Sequence, residues 1–163
     1  MYSKAPKDFP CLFDLGFHSL SLDDIHKACV DGFPLSESRP VIMSGLREFI
    51  DKLKISGIVG KIWIDGSFIT QKIDPKDVDL VLIFDGTIYD SGDDKLRSTI
   101  DWVNSNLKKA LKCDSYVCMQ YPKGHPLHEE GLWWYAWYHK RWGFDREDEP
   151  KGIVVVCLDG ATP

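Results

Sequence analysis

The run Val78-Asp79-Leu80-Val81-Leu82-Ile83-Phe84 constrains the fold more than any other stretch of the chain. It is almost continuously apolar and rich in branched side chains, without the alternation of a strand that has one wet face. Such a run suits an interior strand covered on both sides, which commits the chain to helices layered on a sheet. Further strands are expected at 61–65, at about 115–121 and at 152–158, where β-branched and aromatic residues cluster between turn signals. Between them lie helical patterns. Ser21 and Asp24 make a capping pattern with Leu20 and Ile25 placed as a staple, for a helix ending by Gly32. Ile42, Leu46, Phe49, Ile50 and Leu53 form one apolar stripe from a start near Pro40, closed by Gly57 and Gly60. Leu96, Ile100, Val103, Leu107 and Leu111 trace a single helix capped near Asp93, and residues 128–142 a densely aromatic one. The expected fold is α/β or α+β, a mixed β-sheet with helices packed chiefly on one face. Residues 1–17 read as an extended arm packed on a single domain, 18–163.

Composition narrows the function classes. A chain of 163 residues with 44% apolar and 28% charged side chains has enough material for one real core. It is neither a disordered chain nor a disulfide scaffold. No apolar run approaches the roughly 20 residues of a membrane span, and no secretion signal is evident, so no membrane partner is expected. The net charge of −5 argues against broad duplex binding, which needs a positive field. Cys11, Cys29, Cys113, Cys118 and Cys157 are an odd number without a paired spacing, and His125 and His128 have no matching pair nearby. Reduced thiols in a cytoplasmic protein are the simplest reading.

The chemistry concentrates in residues 64–80. Gly66-Ser67 ends the short strand expected at 61–65, and a glycine–serine corner there exposes N–H groups and a hydroxyl suited to phosphate oxygens. Asp77 and Asp79 stand at i and i+2 at the head of the apolar strand, so both carboxylates point to the same face. Two such groups repel each other unless a cation lies between them, and their hard oxygens suit Mg²⁺ or Mn²⁺. A phosphate cradle facing a metal dyad suits phosphoryl or nucleotidyl transfer. The plain alternative is a turn with incidental surface aspartates, which sits poorly with two acids opening a buried strand.

The segment resembles the signature of the DNA polymerase β-type nucleotidyltransferase superfamily, in which a Gly-Ser pair is followed after about ten residues by Asp-x-Asp. Here nine residues separate Gly66-Ser67 from Asp77-Val78-Asp79. More closely, Asp-Gly-Ser-Phe-Ile-Thr-x-Lys-x-x-Pro-x-Asp-Val-Asp over 65–79 resembles a small nucleotidyltransferase-like family of bacterial and phage proteins. Phe9-Pro10, Gly16-Phe17-His18 and Leu20 resemble that family's opening; Phe144-Asp145-Arg146 and Pro150-Lys151-Gly152-Ile153-Val154 resemble its closing strand. The likeness spans roughly residues 9–158. It implies the minimal nucleotidyltransferase fold and transfer of a nucleoside monophosphate from a triphosphate to a hydroxyl. Gly66 and Ser67 would hold the triphosphate, with Thr70 and Lys72 as further nucleotide-binding candidates, and Asp77 and Asp79 would bind the metal ions. The superfamily's third acid maps best onto Asp114, although Cys113 and Ser115 flank it instead of two apolar residues; Asp159 is the second choice.

Several readings stay open beside that one. Thr70 and Lys72 also suit a solvated loop, Asp65 a turn, and Asp74-Pro75 an ordinary turn. Lys108, Lys109 and Lys112 read as a solvated last turn favoured by the helix dipole. Trp133, Trp137 and Tyr138 share a helical face that would pack on the sheet, leaving Trp134 and Tyr135 as surface contacts; base stacking near Lys140 and Arg141 is the rival reading. The acceptor would be an RNA, a protein or a small molecule. A partner protein or a second subunit would help recognise it, and other minimal nucleotidyltransferases suggest a toxin–antitoxin or phage-defence setting. The alternatives to an enzyme are a catalytically weak nucleotide- or RNA-binding regulatory module and an antitoxin-like interaction domain.

Overall fold

The computed structural model of the chain describes residues 9–158. Residues 1–8 of the expected arm and Asp159 lie outside the described residues. A mixed five-stranded sheet carries the fold, in the α+β class. Its strands are β1 (Gly16–Ser19), β2 (Lys61–Asp65), β3 (Val78–Asp85), β4 (Cys113–Gln120) and β5 (Gly152–Cys157), in the spatial order β1-β5-β2-β3-β4. β1 runs parallel to β5 and β3 parallel to β4, while β2 is antiparallel to both β5 and β3. The helices are α1 (Leu22–His26), α2 (Ser38–Ile55), α3 (Thr87–Ser91), α4 (Asp94–Val103), α5 (Lys108–Leu111) and α6 (His128–Trp142).

Sequence patterns explain most of these elements. Ser21 and Asp24 form the reciprocal capping box of α1, and a wider helical turn, Lys27–Asp31, carries the chain on to Gly32. The α2 stripe of Ile42, Leu46, Phe49, Ile50 and Leu53 is wholly buried against Ile62, Ile64, Leu80 and Leu82 of the sheet. On the opposite face Trp63, Val81, Ile83, Ile153 and Val155 pack with Tyr138 and Trp142 of α6. β3 is therefore covered on both faces, as its composition requires. Burying apolar area at about 25 cal/mol per Å² makes these two layers the main source of stability.

Three expectations change. The arm does not stop at residue 17: Gly16 and Phe17 belong to β1, the sheet's edge strand, and Leu12 N–H donates to the Ile69 carbonyl at 2.9 Å. The single helix expected from Asp93 to Leu111 is two, because Asn104-Ser105-Asn106 interrupts it between α4 and α5. Asp93 caps α4, its carboxylate accepting from Leu96 N–H at 2.8 Å. In α6 the buried residues are Gly131, Tyr138 and Trp142, and the Tyr135 ring, expected at the surface, lies 5.2 Å from Trp63 of β2, so Trp133 and Trp137 point outward instead of into the core. No helix among the described residues is long and apolar enough to cross a membrane.

Candidate active site

The register of three strands aligns three acids. Asp65, the last residue of β2, pairs with Asp79 on β3, and Asp79 pairs with Asp114 on β4. Asp77 precedes β3 by one residue and joins the same end of the sheet. Asp114 thus sits inside β4, one residue from its start, where the sequence suggested the junction before the strand. Asp77, Asp79 and Asp114 line one cleft together with Gly66, Ser67, Thr70 and Lys72. The cleft has a volume of about 1330 Å³.

Gly66 turns the corner at φ 85° and ψ −170°, a backbone region open essentially to glycine alone. A Cβ there would collide with the Asp79 carboxylate, so the glycine lets the corner lie directly against that acid. The following loop is held from outside. Arg39 of α2 is fully buried, and its guanidinium donates to the carbonyls of Cys29, Phe68, Thr70, Lys72 and Ile73 at 2.6–3.2 Å. The Phe33 ring lies 3.6 Å beneath it. Asp74 fastens the loop's far end: its carboxylate accepts from Ser36 Oγ at 2.8 Å and from the Glu37 and Ser38 N–H groups at 3.0 and 3.2 Å. Asp74 is therefore an N-cap for α2 delivered from another part of the chain, not a simple turn residue. The Thr70 hydroxyl is engaged within the loop, donating to the Ser67 carbonyl at 2.8 Å and accepting from Lys72 N–H at 3.3 Å.

Electrostatics single out Asp79. Burial, reinforced by the charges of Asp65, Asp77 and Asp114, pushes its carboxyl up to about 7. Asp65 is also raised by burial, although the Lys151 ammonium 2.7 Å away opposes the shift. Lys108 supplies the counter-charge on the other flank. Its Nζ lies 2.7 Å from Asp114 Oδ2 and 3.4 Å from Asp77 Oδ2, and the bond to Asp114 holds the ammonium above the usual lysine range. That corrects the expectation of a solvated helix end for Lys108, while Lys109 and Lys112 are exposed as expected. Among the described residues no group of three or more His, Cys, Asp or Glu side chains is already arranged to hold a metal ion. Asp77 and Asp114 share one cation, the lysine ammonium, and beside them burial and the neighbouring acids disfavour the charged form of Asp79. A divalent ion held by these carboxylates would have to displace Lys108.

The chain belongs to DUF6932, a family of unknown function. The family profile matches residues 7–157, which takes in the acid row, the glycine corner and both lysines. No curated protein and no solved structure matches the chain. Sequence reasoning for this DUF6932 chain missed Asp65 and Lys108 as members of the site. The signal for Asp65 was present, since a strand's final residue opposite the Asp-x-Asp pair must share its face if the two strands are neighbours.

Proposed function

We propose that this chain is a metal-dependent nucleotidyltransferase, moving a nucleoside monophosphate from a triphosphate to a hydroxyl on RNA, protein or a small molecule. The observation that carries this reading is the alignment of Asp79 with Asp114 on neighbouring strands, with the Gly66 corner laid against Asp79. The resemblance of residues 65–79 to the polymerase β-type signature supports it. Asp77, Asp79 and Asp114 would hold Mg²⁺ or Mn²⁺, which when bound would offset phosphate charge and make the acceptor hydroxyl more acidic.

The chain's own residues do the rest. Gly66 lets the backbone approach the triphosphate, and Ser67 donates to its oxygens. Lys72 reaches a β- or γ-phosphate, while Thr70 keeps the loop in shape. The acceptor hydroxyl gives its proton to Asp114 as its oxygen bonds to the α-phosphorus. The bond from that phosphorus to the bridging oxygen breaks, and pyrophosphate leaves with the electron pair. Asp114 then passes its proton to solvent. Lys108 would have to leave Asp77 and Asp114 before those acids could take a metal ion. Five free thiols suit a reducing cytoplasm.

A second reading, a nucleotide- or RNA-binding module without turnover, is favoured by one observation: Lys108 already occupies Asp77 and Asp114. Incubation with each α-labelled triphosphate, Mg²⁺ or Mn²⁺ and cell extract separates the two. Transfer of label to RNA or protein is expected, with loss in Asp77→Ala/Asp79→Ala. Binding without transfer supports the module, and equal labelling by the double variant refutes the assigned site.

A further inference from the structure

The acid row and the glycine corner form one wall of the cleft, and α6 forms another. Trp133, Trp134 and Trp137 on α6 are 58%, 40% and 42% exposed, and all three line the cleft. Their rings meet edge to face. The centroids of Trp133 and Trp134 are 4.8 Å apart at 84°, and those of Trp134 and Trp137 are 5.8 Å apart at 76°. Each edge-to-face contact covers part of one ring, and the 40–58% exposure of the three side chains leaves the remaining indole surface open to the cleft. The array is also continuous with the candidate active site. Trp137 lies 5.0 Å from Tyr138, Tyr138 lies 6.3 Å from Tyr116, and Tyr116 stands two residues beyond Asp114 on β4. An exposed patch of this kind marks a binding surface more often than an accident of packing.

We propose that the tryptophan face of α6 is a stacking platform for the bases of a single-stranded nucleic acid, whose terminal hydroxyl is the acceptor brought to Asp114. Delivery to Asp114 rests on the nucleotidyltransfer reading; binding on α6 does not. Planar bases match exposed indole faces, and stacking of this kind tolerates any sequence. The cleft, at about 1330 Å³, is larger than the roughly 300–1,000 Å³ typical of a pocket for one small ligand, so it has room for more than a triphosphate. Arg141 on α6 and Lys72 on the loop line the same cleft as cations a phosphate can meet, but carboxylates outnumber cations in the lining, so binding on this face is carried by stacking. A duplex keeps its bases stacked inside and needs a broad positive field, which a chain of net charge −5 lacks. The single strand is the occupant whose unpaired bases fit the exposed rings.

The test is titration of the whole chain with short fluorescein-labelled oligouridylate and oligoadenylate, without triphosphate or metal, followed by anisotropy and tryptophan quenching. The same oligomers annealed to their complements serve as the duplex arm. Single strands should bind and quench, and duplex should not. Trp134→Ala/Trp137→Ala should weaken binding by at least about tenfold, since stacking contributes roughly that factor or more per base. Trp134→Phe/Trp137→Phe keeps two aromatic rings and should retain most of it, which also guards against misfolding as the cause. Asp77→Asn/Asp79→Asn should leave oligomer binding intact while abolishing nucleotide transfer, so the platform and the transfer site fail separately. Three results would overturn the platform: no binding of either single strand, equal binding of duplex, or a solution dimer that Trp134→Ala/Trp137→Ala turns into monomer. The last would mean that a second copy covers the face.

Discussion

Replacing Arg39 by methionine keeps the length and most of the volume of a fully buried side chain while removing every donor. The guanidinium serves five carbonyls, four of them in the loop between Phe68 and Ile73. A buried acceptor left unmade costs about 1–3 kcal/mol, so five would approach the total stability of roughly 5–15 kcal/mol typical of a domain. Two effects reduce that loss. Removing the charge also removes its desolvation cost, to which burial adds by holding the guanidinium below its usual range, and water can reach the loop side of the cluster. A net loss of about 3–5 kcal/mol is expected, in line with breaking other buried charged networks. For a chain of this length that lowers Tm by roughly 10 °C. Urea unfolding followed by tryptophan fluorescence gives the free energy, and hydrogen exchange should show faster loss of protection at 68–73 than across α2. Arg39→Lys offers three donors on one nitrogen and should recover less than half of the loss. If Arg39→Met unfolds within about 1 kcal/mol of the parent chain, the clamp contributes little and the loop is held by something else.

Three further outcomes follow from the same geometry. Gly66→Ala should cost about 1–3 kcal/mol from a left-handed backbone that alanine resists, and should abolish nucleotide transfer by displacing Asp79, while a mutant with unchanged activity would remove the corner from the mechanism. Lys108→Met should tighten Mn²⁺ binding about fivefold in calorimetry: the ammonium is half exposed, so screening leaves its competition with the ion at about 1 kcal/mol, and weaker binding in the variant would show that Lys108 does not compete. Asp74→Ala should lower Tm at neutral pH, where bonds from Ser36 and Ser38 hold the Asp74 carboxyl below its usual range. A depressed folded-state pKa gives stability that is present above the unfolded value near 3.9 and lost as pH falls through the folded one. The gap between parent and variant melting temperatures should therefore narrow as pH falls below the unfolded value near 3.9, and a gap that stays constant through acid would refute the cap.

What the sequence made legible was local. The capping box of α1, the α2 stripe, β2, β3, α6 and β5 are each written within one element, and the Gly66-Ser67 to Asp79 spacing spans only the loop from β2 to β3. The misses are nonlocal or degenerate. β1 has only four residues, and its pairing partner, Gly152 onward, lies at the other end of the chain. The apolar period of α4 continues through Leu107 and Leu111, both buried, so periodicity alone could not reveal the break that the Asn-Ser-Asn interruption imposes. Arg39 continues the stripe of Ile42, Leu46 and Phe49 one step towards the N-terminus; its position announced burial while its charge argued against it. In α6, aromatic residues on every side make several helical faces equally apolar. Only contact with Trp63 and Val81 decides that Tyr138 and Trp142 turn inward.

The acid row is hard to explain as a device for stability. Four carboxylates, Asp65, Asp77, Asp79 and Asp114, meet two lysine ammoniums, Lys151 at one flank and Lys108 at the other. The excess falls on Asp79, the middle member of the row, whose carboxyl rises to about 7 despite the pull of Lys108. Apolar residues in the same places would fill the space without that cost, since buried charge seldom improves stability over well-packed hydrophobic groups. The neighbouring corner is equally uneconomical, holding Gly66 in a conformation that almost no other residue adopts so that backbone can touch the most strained acid. Both features become sensible if the cleft exists to receive positive charge together with a phosphate chain. Lys108 then keeps the acids neutralised between occupants, and its half-exposed side chain makes it the partner most easily displaced.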